Sequence, residues 1–454
     1  MSPLDASTLA RHAGGELAAG RGDVLATAVS TDTRTIPAGS AFFALRGENF
    51  DANDFAGRAI DAGASIVVVE RWDGPEPEHA AVVRVPDTLV ALQRLAAWHR
   101  RQRELPVVGI TGSNGKTSTK DFTAAVLGRA YSVCATRGNL NNHIGLPLSV
   151  LALEESHDAA VFEMGMNHPG EIAPLCEIAR PGLGIITNIG TAHIEFMGSR
   201  ESIAEEKGAL ARCLPEDGAL FVPAGCDFHD YFKRRTKARV FTAGNGRGTI
   251  RAENLRQHDG RSTFTLVIDN DAVAEVELPV TGRHMVTNSL LAAGAGWFLG
   301  IAPREIAAGL AATVLTSGRL RRFVTGGITV IDDTYNANPE SMVAAFDTLA
   351  EMAVPAGGRR IAVLGRMAEL GTHAPEAHLQ VGRHAADRGL VVLAVGEGSQ
   401  GIADGAGKAE HFPDEAAAVA WLAGHAKPGD VVLFKGSRSA AIERVMHQAY
   451  PSHD

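Results

Sequence analysis

The stretch VVGITGSNGKTSTK, residues 107–120, sets an apolar run before a glycine-rich turn and a lysine–threonine pair. This is chemistry for a polyphosphate. Glycines let backbone N–H groups curl around phosphate oxygens, and a helix opening just after the turn points its positive end at the same place. Gly112, Asn114, Gly115, Lys116, Thr117 and Ser118 are the positions that would surround the phosphates. Lys116 would place a charge on the β and γ groups, and the Thr117 hydroxyl would bind Mg²⁺. The match is imperfect: the strict pattern wants glycine five residues before Gly115, where Ile110 stands between Gly109 and Gly112. A glycine-rich turn that binds nothing is the alternative, and the strand–turn–helix context argues against it.

Other candidates depend on that loop for their meaning. Glu163 closes the apolar run AAVF, where a carboxylate at the edge of a parallel sheet reaches a nucleotide-bound metal. Without the loop it reads as an exposed strand-end acid. His193 follows GIITNI and reads equally well as a packing histidine. Lys207, in SIAEEKGAL, reads as a solvated helix lysine. Gly407-Lys408 lacks the following hydroxyl and reads as a surface loop, and GNGRG at residues 244–248 reads as a turn.

Three alternating units must position these groups. The first has strand-like AFFAL (residues 41–45) and ASIVVVE (64–70) around a helical stretch at 54–62. A helix from 89 to about 103 ends before Pro106. The second unit alternates VVGI (107–110), AAVFEM (159–164), GIITNI (184–189) and ALFVP (219–223) with helical patterns, and antiparallel strands follow across 247–280. The third runs ITVIDD (328–333), RIAVLG (360–365), LVVLAVG (390–396) and DVVLFKG (430–436). The expectation is an α/β chain of three domains: residues 1–86, a small α/β unit; 87–316, a mostly parallel ATP-binding sheet; and 317–454, a Rossmann-like doubly wound unit.

Composition excludes some classes. The 454 residues carry a formal charge of −9, against a general nucleic-acid binder. No apolar run is long enough to span a membrane, and the first residues lack a secretory pattern. Four scattered cysteines without a C-x-x-C pair fit a reducing compartment, so a cytoplasmic protein is expected.

Together the segments resemble the Mur ligase family, ATP-dependent enzymes that build the peptide stem of peptidoglycan. The resemblance covers nearly the whole chain. TDTRTIPAGSAFFALRGENFDANDF, GITGSNGKTSTKD, TRGNLNNHIGLPLSVL, EMGMNHPGEI, TNIGTAHIEFMGS, IAEEKGAL, GRHMVTNSLLAAGA, SGRLRR and DDTYNANPESM carry it in the family's order. It implies ATP and Mg²⁺ as cofactors. It makes Thr117, Glu163, His193 and a carbamylated Lys207 the metal ligands, and Lys116, His193, Lys207 and Arg319 the catalytic set. Asn288 would contact adenine, with His284 one turn before it; Arg319 would reach the γ-phosphate. Asp333 would bind ribose at the end of the last domain's first strand, beside Tyr335 and Asn336. Thr31, Arg34 and Arg46 would hold the UDP end of the substrate, with Phe43 packing, and Asn139, Asn141, Asn142 and His143 would meet its sugar-peptide part.

The segment TYNANPES and the absence of Asp-Asn-Pro-Arg resemble the branch joining D-alanyl-D-alanine to UDP-N-acetylmuramoyl-tripeptide. That branch implies a monomer with those two partners. The third-residue-adding branch, folylpolyglutamate synthase and a non-catalytic nucleotide binder are the rivals. One departure stands out: Arg366 occupies a position where the family usually has aspartate.

Overall fold

The structure is a computed structural model that describes residues 2–47, 50–258 and 260–451. Glu48 and Asn49 of the segment quoted above lie outside the described residues.

The strand Val107–Thr111 is buried at every position. It is an interior strand of a nine-stranded sheet, flanked in parallel by Leu183–Ile186 and Ala159–Glu163. Near-continuous apolar runs suit strands covered on both faces. In the register, Ile110 lies opposite Glu163 and Thr111 opposite Ile186. Three strands thus finish at one level, and the loops after them share one sheet edge. The helices Lys116–Leu127 and Arg283–Phe298 cover one face. Thr88–Arg101, Ile172–Ala179 and Arg200–Cys213 cover the other.

The first unit is a five-stranded sheet that includes Ser40–Phe43 and Ala64–Val69. Its apolar layer is continuous with that of the central sheet: Leu9 and Phe43 join Leu92, Leu95, Phe162 and Leu210 in one buried cluster. The helix Thr88–Arg101 is the shared element. Each such side chain contributes about 1.5–3 kcal/mol on burial, so the first two units are held by a common core.

The last unit is a six-stranded sheet, parallel except for the edge strand Arg321–Thr325, which pairs antiparallel with Ile328–Asp332. Residues 312–320 link it to the central unit without helix or strand. Val314 there is 88% exposed, while Thr316 is tied down, its N–H donating to Asp121 at 2.8 Å.

Several expectations shift. The antiparallel strands after 247 are present as Ile250–His258, Arg261–Ile268 and Asp271–Leu278. Before them lies a strand the sequence reading did not place, Arg239–Asn245, so GNGRG is a turn only from Gly246 onward. GIITNI leaves the sheet at Ile186. Asp333 follows the last unit's second strand rather than its first, because the polar RRFVT forms an exposed edge that apolar patterning does not reveal.

Candidate active site

The turn after Thr111 is shaped by two glycines. Gly112 has φ 148°, and a Cβ there would stand 1.9 Å from the Thr187 hydroxyl oxygen. Gly115 has φ 78°, and its Cβ would stand 2.7 Å from Asn288 Nδ2. Only glycine lets the loop pass this close to its neighbours. The helix then begins at Lys116.

Lys116 folds back on its own loop, its Nζ donating to the Gly112 carbonyl at 2.8 Å. Burial lowers its pKa; Glu163 opposes that and Arg319 adds to it. One carboxylate, Glu163, faces two cations, Lys116 and Arg319, and a polyphosphate would bring further negative charge to them. Thr117 Oγ1 donates to Glu163 Oε2 at 3.0 Å and accepts from Arg319 Nη2 at 3.0 Å. The other oxygen of Glu163 accepts from Asn141 Nδ2 at 2.8 Å. Glu163 is thus a buried, fully hydrogen-bonded carboxylate rather than an exposed strand-end acid.

Lys207 is not a solvated helix lysine either. It is 1% exposed on the helix Arg200–Cys213. No hydrogen bond or ion pair engages it among the described residues. Its neighbour Glu206 instead accepts the N–H groups of Gly170 and Ile172, each at 2.7 Å. Burial, and then Lys116, push the Lys207 pKa well down, with Glu206 opposing. Burial and a neighbouring cation both favour the uncharged, nucleophilic form of this amine.

His193 caps a short helix, Ile194–Met197, in a left-handed conformation with φ 64°. Its Nδ1 lies 2.5 Å from a Glu369 carboxylate oxygen. That oxygen stands off the ring N–H direction, so the contact is a close ion-pair geometry and not an aligned hydrogen bond.

The last unit closes the opposite wall. The Arg319 guanidinium lies 3.9 Å from the Tyr335 ring centroid. Asp333 accepts from Lys435 Nζ at 2.6 Å, and the same Nζ donates to the Asn336 carbonyl at 2.9 Å. Asn338 caps the helix Pro339–Glu351 and also donates to Asn114 Oδ1 at 2.7 Å, joining the last unit directly to the glycine-rich loop.

Between these walls is a cleft of about 410 Å³, the size of a small-molecule site. Asn114, Gly115, Lys116, Thr117 and Ser118 line it, with Glu163 and His193. Asn139, Asn142 and His143 line it from the loop before the helix Gly145–Leu151. Asn288, Arg319, Asp333, Tyr335 and Asn336 complete it. Asn288 sits against Gly115, beside the phosphate loop. Gly112 and Lys207 lie beneath the surface rather than on it.

Thr31, Arg34 and Arg46 stand apart from the cleft. They follow Ala28–Ser30 and Ser40–Phe43, which pair in parallel, so all three sit at one edge of the first sheet. Arg34 pairs with Asp32 at 2.7 Å and Arg46 with Glu70 at 3.0 Å. Phe43 is a core residue. Arg366 is exposed and donates to Ser439 Oγ at 3.2 Å.

Sequence reasoning missed Lys435, Asn338, Glu340 and Glu369. Lys435 had a usable signal, a lysine ending the apolar run DVVLF, where ligands gather in a parallel sheet. The other three are ordinary polar residues until the units meet.

Comparison with known proteins gives matches along the chain. Residues 26–100 match the family described as "Mur ligase family, catalytic domain", 110–296 "Mur ligase middle domain" and 318–438 "Mur ligase, glutamate ligase domain". The UDP-N-acetylmuramoyl-tripeptide–D-alanyl-D-alanine ligase of Escherichia coli K12 is 39% identical over 433 residues, covering 93% of this chain and 94% of that one. A crystal structure of MurF from Acinetobacter baumannii superposes with a TM-score of 0.91 at 33% identity, covering 99% of both chains. MurF ligase from Thermotoga maritima, solved in complex with ADP, gives 0.83 at 29% identity, covering 93% of this chain and 96% of that one.

Proposed function

The chain belongs to the Mur ligase family, and on that premise we propose that it joins D-alanyl-D-alanine to UDP-N-acetylmuramoyl-tripeptide using ATP, in peptidoglycan precursor synthesis. The observation that carries the reading is the single cleft where Lys116, Thr117 and Glu163 of one unit meet Arg319 and Asp333 of another.

The reaction needs activation, because a carboxylate is a poor electrophile. An oxygen of the tripeptide's terminal carboxylate attacks the γ-phosphorus and ADP departs. The dipeptide's amine then attacks the acyl phosphate carbon; phosphate leaves and the nitrogen gives up a proton. This chain's residues lower the cost of bringing two anions together. Lys116 leaves the Gly112 carbonyl for the β and γ phosphates, and Arg319, already on Thr117, faces the transferred group. Asp333 takes the ribose, with Tyr335 and Asn336 beside the nucleotide. Asn139, Asn142 and His143 position the sugar-peptide, whose UDP end reaches Thr31, Arg34 and Arg46. Positioning of this kind, rather than a dedicated base, supplies much of the acceleration.

The donor set fits Mg²⁺ in part. The Thr117 hydroxyl and Glu163 carboxylate are hard oxygens of the kind Mg²⁺ takes alongside phosphates. Lys207 fits only as a carbamate, which its buried amine would form by adding CO₂ and losing a proton. With His193, these residues would hold the ion, whose charge would offset that of the phosphates.

No helix among the described residues is long and apolar enough to cross a membrane. The reading goes with a cytoplasmic enzyme acting as a monomer, since its substrates are ATP and a UDP-linked precursor.

Phosphate release with ATP, Mg²⁺, UDP-N-acetylmuramoyl-tripeptide and D-alanyl-D-alanine, each omitted in turn, tests the proposal. Release should require all four. Release with a single amino acid in place of the dipeptide would move the chain to another branch of the family. Binding of ATP without release would make it a non-catalytic binder.

A further inference from the structure

Two carboxylates of the last unit lie on the loop that carries His193. Glu340, in the first turn of Pro339–Glu351, accepts the Thr191 N–H at 2.9 Å and the Thr191 hydroxyl at 3.0 Å. Glu369 stands 2.5 Å from His193 Nδ1, and its carbonyl accepts the Glu195 N–H at 3.3 Å. Glu369 and His193 are both non-glycine residues in the left-handed region, with φ 59° and 64°. That conformation persists only where the surroundings hold it. The two meet across the boundary between units.

The consequence follows from histidine chemistry. A neutral ring that donates its Nδ1–H to a carboxylate keeps its lone pair on Nε2. Metal-binding histidines are commonly held this way, and loss of the carboxylate weakens metal binding by about 10- to 100-fold. Here His193 lines the cleft while Nδ1 is buried against Glu369. No hydrogen bond occupies Nε2 among the described residues.

We propose that Glu369 is a positioning residue for His193, and that Glu340 fixes the same loop, so the last unit completes the metal side of the cleft on the central unit. The inference rests on the reading of His193 as a metal ligand. It makes cation affinity depend on carboxylates supplied by a different unit from the one that carries the phosphate loop. The last unit would then do more than supply nucleotide contacts, because its closure would set the tautomer of a ligand that belongs to another unit. A small shift of the imidazole toward alignment with Glu369 would accompany ion binding.

The test is Mn²⁺ binding to the full chain with ADP, followed by electron paramagnetic resonance, for wild type, His193→Ala, Glu369→Ala, Glu369→Gln, Glu340→Ala and the double variant His193→Ala/Glu369→Ala. The side chain of Glu369 is 40% exposed, so its removal leaves no core cavity and the melting temperature should hold. Glu369→Ala should weaken Mn²⁺ binding about tenfold or more. Glu369→Gln, whose amide oxygen offers Nδ1–H an acceptor in the same place, should recover most of it. Glu340→Ala should weaken binding in the same direction, and the double variant should be no weaker than His193→Ala alone. If His193→Ala weakens Mn²⁺ binding and Glu369→Ala does not, the positioning role is wrong while the metal reading stands. If His193→Ala leaves binding unchanged, the metal reading falls and this proposal falls with it.

Discussion

Among the described residues Lys116 makes polar contacts with its own loop and no ion pair, so removing its charge should leave the fold intact. Lys116→Ala is expected to melt within a few degrees of wild type yet lose at least about 100-fold in kcat, the scale of a lost charge-stabilising group. Normal turnover would refute the phosphate-loop role. Lys207 asks for a different measurement, because a carbamate is labile. Lys207→Ala should be nearly inactive and recover partly with added formate or acetate; full activity without either would remove the carbamate from the account. His284 offers a pH test. Burial pushes its pKa down to about 4, with Asp333 opposing and Lys435 assisting, although one edge of the ring opens on the cleft. Unfolded, the ring takes a proton near its ordinary value of 6.5. Its contribution to stability is therefore present above about 6.5 and is lost as pH falls toward 4. His284→Gln should flatten the fall in urea midpoint between pH 7 and pH 5; an unchanged slope would assign that fall to other groups.

Between strand and helix, Gly112 has no room for a side chain. A methyl group there would meet Thr187 at a distance no packing allows. Gly112→Ala should lose about 2–3 kcal/mol from backbone strain and overpacking together, read as a lower urea midpoint with an unchanged slope. The element-level reading of the sequence succeeded where signals were local. A buried apolar strand, a glycine turn and a helix start are adjacent in VVGITGSNGKTS, and period and breakers report them directly. It failed at Arg239–Asn245 and Arg321–Thr325, where strands are polar, partly exposed and set by their neighbours rather than by their own pattern.

Contacts that join the units were not legible, for the same physical reason on a larger scale. Asn114 meets Asn338 across 224 positions, Thr117 meets Arg319 across 202, and Thr191 meets Glu340 across 149. No periodicity encodes which loops face each other once separate sheets dock. Resemblance gave Arg319 a role but gave none to Glu340, although that residue stands inside DDTYNANPESM, or to Glu369; their meaning comes from the docked geometry. The linker at residues 312–320 has a consequence in the language of proteolysis. It offers an exposed, irregular stretch to a protease, yet its arginine, Arg319, is engaged by Thr117 and Tyr335 at the mouth of the nucleotide cleft. Trypsin should therefore cut after Arg319 only when the guanidinium leaves Thr117 and Tyr335: digestion would release the last unit slowly from the free enzyme and more slowly still with ADP, while cleavage at remote surface arginines is unchanged. The joint between the units would then act as a built-in reporter of whether the enzyme is holding nucleotide.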